Sequence, residues 1–359
     1  MDESPPLAVL VGVGMTTSVG GRTAQSCASM RAGLARFTAT PIYLAAAADP
    51  EREDPDLAMV APVLDPTLGI PLPERLLRLA LPALAEGIEA AGWRRDEFGI
   101  AGLHVVLPQS SRPLLPGIAE QVPHELCRRA GISTRAPKTT VRSGHHGFAE
   151  AVQRVIASFG AGLSRSVVLL VDSLLDAETM AWLDQRDRLK CARVPDGLIP
   201  GEAAVACLFE SPSTAAASGA CVLARVEGVG VAEESATVLS DLACTGTGLS
   251  EALRLAAQGI PLVRPPWVVS DHNGERYRAQ ELGYLFVKQH RLLGGLRETW
   301  FPASSLGDVG AAAGGIAAAW IAQAFARGYA PSRRAFVLTS SDDGGRGVVV
   351  IGAPDAGDA

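Results

Sequence analysis

Histidine and aspartate side chains stand at three places in the 359-residue chain where they could do chemistry together. They are His145 and His146 in VRSGHHGFAEA, Asp271 and His272 in VVSDHNGERYRAQE, and Asp308 in GDVGAAAG. If the fold brings them into one pocket, an imidazole and a carboxylate can form a general-base pair that activates water or a hydroxyl. They can also bind a divalent metal, or His145 can simply fill space beside an acid. No HxH or HExxH spacing favours a metal, so neither a metal nor a cofactor is expected.

Two further motifs are open to a functional and a structural interpretation. Cys244 lies in a Gly/Thr-rich turn before a helix, where it is either an activated thiol or a packing residue at a helix start capped by Thr247 or Ser250. Asp172–Ser173 follows a strand and is interpreted as a structural turn. We expect packing and turn roles for both motifs.

A glycine pair near the N-terminus resembles a dinucleotide-binding turn only superficially. Gly12 and Gly14 have the first spacing of GxGxxG, but Thr17 stands where the third glycine belongs. No acidic residue ends a second strand at the expected distance. Nucleotide binding is therefore not expected.

Composition excludes several classes of protein. The chain has 32 Lys+Arg against 38 Asp+Glu, a formal charge of −6, with 48% hydrophobic and 19% charged residues. This excludes a disordered chain and argues against nucleic-acid binding. No apolar run reaches about 18 residues, so no membrane span is expected. The acidic N-terminus does not resemble a signal peptide, and six scattered cysteines without CxxC suit a reducing cytoplasm.

Short β-branched runs alternate with Ala- and Leu-rich helical runs, which predicts a mostly parallel α/β sheet. The predicted strands are Leu7–Val13, Leu103–Leu107, Val167–Val171, Ala203–Phe209, Val222–Val226, Trp267–Ser270, Phe336–Thr339 and Val348–Ile351. The predicted helices are Glu74–Ala91, with a kink or break at Pro82, then 148–159, Leu249–Gln258 and Ala311–Arg327. Ala45–Pro73, rich in proline, predicts a surface excursion. The small, polar segment Glu210–Gly219 suggests a boundary, giving two α/β halves at 1–212 and 213–359 and an internal duplication.

The order of five motifs resembles that of the β-ketoacyl-acyl-carrier-protein synthases of the thiolase superfamily. The motifs are VGVGMTTSVG (11–20), MRAGLARF (30–37), PDGLIPGEAAVACLFE (195–210), SLGDVGAAAGGIAAAW (305–320) and TSSDDGGRGVVVIG (339–352). Together they span nearly the whole chain. The resemblance implies a five-layer αβαβα fold from two duplicated halves, a dimer, and an acyl carrier protein or acyl-CoA as partner.

The residues that do the chemistry in that family are exchanged here. Where the family has a nucleophilic cysteine before a helix, this chain has His145, and Asp308 stands at the second catalytic histidine. Depending on a gap, Asp271 or His272 takes the position of the first one. An imidazole cannot form a thioester, and at a helix N-terminus it is pushed toward its neutral form. The site residues implied are His145, His272 and Asp308 as catalytic candidates with Asp271 and His146 beside them, and Ser143, Gly344 and Gly345 for substrate binding.

Two functional hypotheses follow. The first is a non-condensing, chain-length-factor-like subunit that forms a homodimer or pairs with an active ketosynthase. The second is an acyltransferase or thioester hydrolase in which His145 or an Asp–His pair acts as base. The charged run DQRDRLKCAR (184–193) is interpreted as a solvated face, or as a basic contact for a carrier protein through Arg186, Arg188, Lys190 and Arg193.

Overall fold

The computed structural model describes residues 6–44, 57–65, 69–113, 116–131, 137–192, 194–260, 266–296 and 298–355. Its strands are β1 (Ala8–Thr17), β2 (Thr38–Leu44), β3 (Leu57–Val60), β4 (Gly102–Val106), β5 (Lys138–Val141), β6 (Arg165–Ser173), β7 (Glu202–Glu210), β8 (Ala224–Glu233), β9 (Trp267–Ser270), β10 (Thr299–Trp300), β11 (Arg334–Ser340) and β12 (Gly345–Gly352). Its helices are α1 (Thr23–Arg31), α2 (Leu72–Ala91), α3 (Arg95–Phe98), α4 (Ile118–Arg129), α5 (Gly147–Gly160), α6 (Ala177–Asp184), α7 (Pro212–Ser218), α8 (Thr247–Ala256), α9 (Arg276–Lys288), α10 (His290–Leu293), α11 (Ala303–Leu306) and α12 (Ala313–Ala326).

Ten strands form one sheet whose order repeats about its centre. The order is β10-β9-β11-β12-β8-β1-β7-β6-β4-β5, and β2 pairs separately with β3. Each half begins at a central strand, β1 or β8, and extends to an edge of the sheet. Along this direction the first two strand pairs are antiparallel and the next two are parallel. The sheet is therefore mixed, and the prediction of a mostly parallel sheet is wrong. The repeated order supports an internal duplication, while the division between residues 212 and 213 stays a prediction.

A GVG triplet occupies the same position in the first strand of each half. Gly12–Gly14 lies in β1 (AVLVGVGMTT) and Gly228–Gly230 lies in β8 (ARVEGVGVAE). A Cβ on the last glycine of each triplet would lie 2.0 Å from a helix carbonyl oxygen, that of Ala83 in α2 or Ala252 in α8. Both triplets let a helix pack directly on the strand backbone. This contact explains the glycine spacing and leaves a residue-level trace of the duplication.

The helices divide the protein into five layers. α2 and α4 cover the outer face of the first half-sheet, and α8 and α9 cover that of the second. Between the half-sheets lie α5 and α12, which contact strands of both halves. Their buried residues, among them Phe148, Val152, Ile316 and Ile321, form the largest core cluster. The αβαβα fold that the resemblance implies is present.

Several local predictions differ from the structure. α2 continues through Pro82 to Ala91, because the apolar face on either side of this exposed proline is buried and holds the helix together. β5 and α4 were not predicted, since neither has a long apolar run. Within the expected surface excursion, residues 45–56 and 66–68 lie outside the described residues. Residues 57–60 form β3 instead, with Ala58 and Val60 fully buried.

None of the described helices is long and apolar enough to cross a bilayer.

Candidate functional site

His145 and His146 lie in a tight turn at the start of α5. The 3-10 turn Gly144–His146 leads directly into the helix and begins with Gly144 at φ 62°, a left-handed conformation that favours glycine. A Cβ on this glycine would lie 3.0 Å from Gln109 Oε1. The two histidine residues are only 6% and 5% exposed. The turn therefore holds both rings inside the protein.

His145 contacts Asp308. The resemblance places His145 at the position of the nucleophile and Asp308 at that of the second catalytic histidine. His145 Nε2 lies 2.8 Å from Asp308 Oδ1. A second 3-10 turn, Gly310–Ala312, follows Asp308 and leads into α12, so the pair links the entries of the two central helices. Asp308 also accepts from the Gly310 N–H at 2.8 Å and from Asn273 Nδ2 at 2.7 Å. The carboxylate is thus satisfied by three donors.

The electrostatics of the pair favour its charged form. Burial raises the pKa of Asp308, but His145 and Arg278 overcome this effect and hold that pKa well below its usual range. Burial lowers the pKa of His145, but the charge of Asp308 and its hydrogen bond overcome burial, so the pKa of His145 is raised. Since an ionised carboxylate only accepts, His145 Nε2 carries a proton. The expectation that the helix N-terminus keeps His145 neutral is wrong, because the nearby carboxylate dominates.

Two buried arginines join the loops around this pair. Arg188 donates to Glu275 at 2.6 and 2.8 Å and to Asp342 at 2.8 Å. Arg278 donates to Asp342 at 3.1 Å. Asn273, which binds the aspartate partner of the imidazole, also donates to Glu275 at 2.9 Å. The network ties together the segment after α6, the loop before α9 and the turn between β11 and β12.

These contacts correct the interpretation of the charged run at 184–193. Arg188 is only 6% exposed, so it is neither on a solvated face nor available to a carrier protein. Arg186 is exposed, Lys190 is half-buried, and residue 193 lies outside the described residues.

The two buried arginines also determine the charge state of Asp342. Burial raises the pKa of Asp342, but Arg188 and Arg278 overcome this effect and lower that pKa to about 2.

His146 faces the turn between β11 and β12. Ser341 Oγ accepts from the His146 backbone N–H at 3.0 Å and lies 2.8 Å from His146 Nδ1. Because Ser341 gives its only hydroxyl proton to the Ser143 carbonyl oxygen, at 2.5 Å, His146 Nδ1 must donate. The other ring nitrogen lies 3.5 Å from Glu150. A Cβ on Gly345 would lie 1.9 Å from the ring, so this glycine makes room for the imidazole.

The residues predicted to bind substrate have contacts within the protein. Ser143 Oγ donates to Glu150 Oε2 at 2.7 Å. Gly344 has a φ of 117°, and a Cβ there would lie 2.8 Å from the Glu234 carbonyl oxygen. Gly345 packs under the second imidazole, as described above. Substrate binding by these three residues stays a prediction.

Asp271 stabilises the loops around the site. Asp271 Oδ2 accepts from the Ser340 backbone N–H at 2.7 Å and lies 3.5 Å from Arg278 Nη1. It therefore holds the end of β11 beside the buried guanidinium. No hydrogen bond in the described part of the chain joins it to the imidazole of residue 145.

His272 lies on the same loop but points to a different neighbour. Its ring packs edge-on against Phe301, with 5.3 Å between ring centroids. Burial lowers the pKa of His272, and its Nδ1 has no hydrogen-bond partner among the described residues. The loop reaches Asp308 through Asn273 instead. A catalytic role for His272 stays a prediction.

A small cavity adjoins His145 and Asp308. Its volume is about 10 Å³, which is room for about one water molecule. Its apolar wall comprises Leu174, Trp182, Leu183 and Leu198. Its polar wall comprises Gln109, Arg112, His145, Asp172, Thr179, Asp308 and Asp342, with backbone from Gly144 and Gly310. An acyl chain does not fit in this space.

Cys244 and Asp172, the two motifs that were open to a functional and a structural interpretation, have contacts within the protein. Cys244 is half-buried and precedes α8, which begins at Thr247; burial raises the pKa of this thiol, so it is not activated. Ser250 does not cap α8 but donates back to the Gly246 carbonyl at 2.6 Å. Asp172 and Ser173 end β6 instead of forming the predicted turn. Asp172 accepts from Arg112 and from the Ala311 N–H, in the turn before α12. A purely structural role for Asp172 stays a prediction. Among the described residues, no group of three or more His, Cys, Asp or Glu could hold a metal ion.

Comparison with known proteins identifies the fold. No protein-family model and no curated protein matches the chain. Among solved structures, the ishigamide ketosynthase/chain length factor matches with a TM-score of 0.78 and 18% identity, over 98% of this chain and 100% of that one. The chain has the ketosynthase fold. Two further ketosynthase structures agree with this assignment.

The first is AntDE:AntF, a type II polyketide synthase acyl carrier protein in complex with its ketosynthase bound to the hexaketide. It matches with a TM-score of 0.78 and 13% identity, over 98% of this chain and 100% of that one. The second is the oxazolomycin ketosynthase domain OzmH KS7 of Streptomyces albus JA3453, with a TM-score of 0.75 and 17% identity, over 99% and 75% of the two chains. At these identities, the likeness confirms the ketosynthase fold that the motif order implies.

Sequence analysis missed most residues that surround the imidazole–carboxylate pair. Gln109 and Arg112 follow β4, Asn273 and Arg278 lie around the start of α9, and Asp342 lies in the last turn. Two of these regions resemble family motifs, and the motif match predicts nothing about their other polar residues. The available signal was the presence of charged residues in segments otherwise composed of small or apolar ones.

Proposed function

We propose that this chain is a non-condensing subunit of a ketosynthase-type enzyme, comparable to a chain length factor. The observation that carries the proposal is His145, an imidazole at the place that the resemblance assigns to the nucleophilic cysteine, with its Nε2 bound to Asp308. Acyl-imidazoles hydrolyse readily, so this residue does not replace a thiolate in condensation. An ionised Asp308 would also repel a developing enolate instead of donating a hydrogen bond to it.

The proposed partner is a ketosynthase that keeps its cysteine. One similar solved structure is named as a ketosynthase/chain length factor, and another holds a ketosynthase with its acyl carrier protein. By analogy, we propose that this chain forms a heterodimer that receives its substrate from an acyl carrier protein. A homodimer and acyl-CoA are the alternatives. The six free cysteines fit a reducing cytoplasm.

Co-expression with a cysteine-containing ketosynthase encoded beside this chain tests the proposal. We expect a 1:1 complex in size-exclusion chromatography that condenses a malonyl thioester on the carrier protein. Activity should be lost when the partner's cysteine is changed to alanine and kept in the His145→Gln variant of this chain. A chain that remains a homodimer, with no effect on the synthase, would contradict the proposal.

A second candidate function rests on the geometry of the His145–Asp308 pair. A carboxylate 2.8 Å from an imidazole orients a general base in many hydrolases. Incubation of this chain alone with acyl-CoA and with acyl carrier protein tests thioester hydrolysis or acyl transfer. Turnover by the wild type that is lost in His145→Ala would favour the enzyme, and no turnover in either would favour the partner subunit. An acyl adduct on His145 in mass spectrometry would contradict the partner proposal.

A further inference from the structure

An exposed apolar surface lies along α9, on the second half of the protein. Seven large hydrophobic side chains are exposed in the described part of the chain, and four of them lie in or beside this helix. Val287 is 73% exposed and Leu242 is 61% exposed, and the other two are Leu239 and Tyr284. Single exposed apolar residues are ordinary, but several of them side by side mark an interaction site.

The exposed side chains of α9 share one face of the helix. At 100° per residue they cover about half of its circumference, whereas Leu282 and Leu285 lie on the opposite side and face the core. Tyr284 and Val287 lie in this exposed face, and a cation stands at each of its ends. The exposed residues are Arg276, Ala279, Gln280, Gly283, Tyr284, Val287 and Lys288.

Residues 236–246 lie alongside this face and carry the two exposed leucines. Tyr277, in the first turn of α9, donates its hydroxyl proton to the first carbonyl of this segment at 2.5 Å. At the other end of the segment, a Cβ on Gly246 would lie 3.0 Å from Tyr284 Cβ. The leucines therefore extend the apolar part of the helix face sideways. We call the exposed face of α9 together with this segment the α9 surface.

The charges of the α9 surface are mainly positive. Arg276 and Lys288 are exposed at the two ends of the helix face, and Arg291 is exposed nearby in α10. No ion pair in the described part of the chain involves any of these three cations. Asp241 is the one exposed carboxylate of α9 and residues 236–246. The surface is therefore basic on a chain whose formal charge is −6, and it is complementary to an acidic partner.

We propose that the α9 surface docks an amphipathic helix whose apolar side chains are flanked by carboxylates. Arg276 and Lys288 are 12 residues apart, which is about 18 Å along a helix. The docked helix therefore needs acidic side chains about three turns apart, with apolar residues between them to cover Tyr284 and Val287.

The assignment of this helix to the acyl carrier protein rests on the proposed function. In that assembly the ketosynthase is the other candidate occupant. It has a separate place to bind, because β5 is the sheet edge of the first half, whereas α9 covers the outer face of the second half-sheet. The α9 surface thus remains free for the carrier protein when the two subunits are paired.

Binding of the carrier protein encoded beside this chain, in its phosphopantetheine-bearing form, tests the proposal. Biolayer interferometry is done on this chain alone and on its complex with the ketosynthase. Val287→Asp should weaken binding by about tenfold or more, mainly through faster dissociation, because it places a charge among the apolar contacts. Arg276→Glu and Lys288→Glu should slow association, and this effect should shrink as the salt concentration rises.

Two control variants make the same changes elsewhere on the surface. Leu34→Asp and Arg36→Glu alter exposed residues in the segment after α1 and should leave binding unchanged. Circular dichroism should show that all five variants are folded. Wild-type chain that does not bind the carrier protein, or variants of α9 that bind as well as the wild type, would overturn the docking proposal. A chain that binds the carrier protein as described but forms no complex with the ketosynthase would support the docking surface and contradict the proposed function.

Discussion

At the scale of single residues, two side chains that the resemblance places at catalytic positions form hydrogen bonds with each other. His145 and Asp308 stand where the resemblance places a cysteine and a histidine, and they form a buried pair with a 2.8 Å contact. Each partner shifts the pKa of the other toward its charged form. The pair is thus a stable structural element in which His145 Nε2 and Asp308 Oδ1 are committed to each other.

Removing one member of the pair should be costly. In His145→Ala, an ionised Asp308 would remain buried without its main partner, which typically costs about 3–5 kcal/mol of unfolding free energy. Urea denaturation measures this loss. The double variant His145→Ala/Asp308→Ala should lose less than the sum of the two single variants, because no unpaired charge remains. Additive losses would contradict a coupled pair.

The stabilisation by the pair should depend on pH. The raised pKa of His145 means that its contribution is complete below its unfolded value of about 6.5 and is lost as pH rises through the folded pKa. The lowered pKa of Asp308 means that its contribution is present above about 3.9 and is lost at lower pH. The stability difference between wild type and His145→Ala, measured by urea denaturation, should therefore be largest between about pH 4 and 6.5. The same difference at every pH would show that the pair does not titrate in this way.

At the scale of elements, the contact of β1 with α2 depends on glycine. The ridge of α2 backbone from Ala83 to Gly87 lies against Gly14, and the equivalent contact in the second half uses Gly230 and α8. Close approach of a helix to a strand backbone leaves no room for a Cβ. In each half, this contact sets how the outer helix, α2 or α8, lies on its own half-sheet.

A pair of alanine variants tests this contact. In Gly14→Ala, the new Cβ would lie 2.0 Å from the Ala83 carbonyl oxygen, so we expect a loss of about 3 kcal/mol of stability, at the upper end of overpacking costs. Gly21→Ala is the control, since nothing lies within 4 Å of its Cβ position. Thermal unfolding of both variants provides the measurement. Equal melting temperatures would mean that α2 does not pack as closely as described.

At the scale of the whole molecule, β5 is the edge of the ten-stranded sheet in the first half. The carbonyl oxygens of Pro137 and Val141 accept from Leu103 and Leu107, so these alternate residues face the neighbouring strand. The intervening Thr140 therefore presents its backbone N–H outward. No strand among the described residues pairs with this edge, and an edge of this kind is a template for pairing with another chain. On the proposed heterodimer, we expect the partner subunit to add its own strand here.

Loss of the outward N–H tests the edge. Thr140→Pro should weaken assembly with the partner ketosynthase, because proline cannot donate a hydrogen bond to an added strand. Size-exclusion chromatography of the co-expressed pair would show a shift from complex to separate subunits, and circular dichroism should show a folded chain. Undiminished complex formation would exclude β5 as the interface.

Local sequence patterns were sufficient for many elements of this fold. Trp267–Ser270 was predicted with the observed bounds, and α12 within two residues, because a continuous apolar run reflects burial on all sides. The order of the motifs was sufficient to predict the ketosynthase fold, whereas the assignment of His145 and Asp308 to catalytic positions of that family stays a prediction. Glycine spacing is informative here because glycines such as Gly14 and Gly230 lie directly against helix backbone and so serve the packing of the fold.

The surroundings of the site were decided by the tertiary structure alone. Arg188 was predicted in a solvated run, yet it is buried against Glu275, which lies 87 residues further along the chain. Likewise, nothing in the chain order associates Gln109 or Thr179 with His145. A charged or polar residue has the same appearance in a sequence whether it faces solvent or spans two distant loops. Only folding brings its partner close enough to compensate for the loss of water.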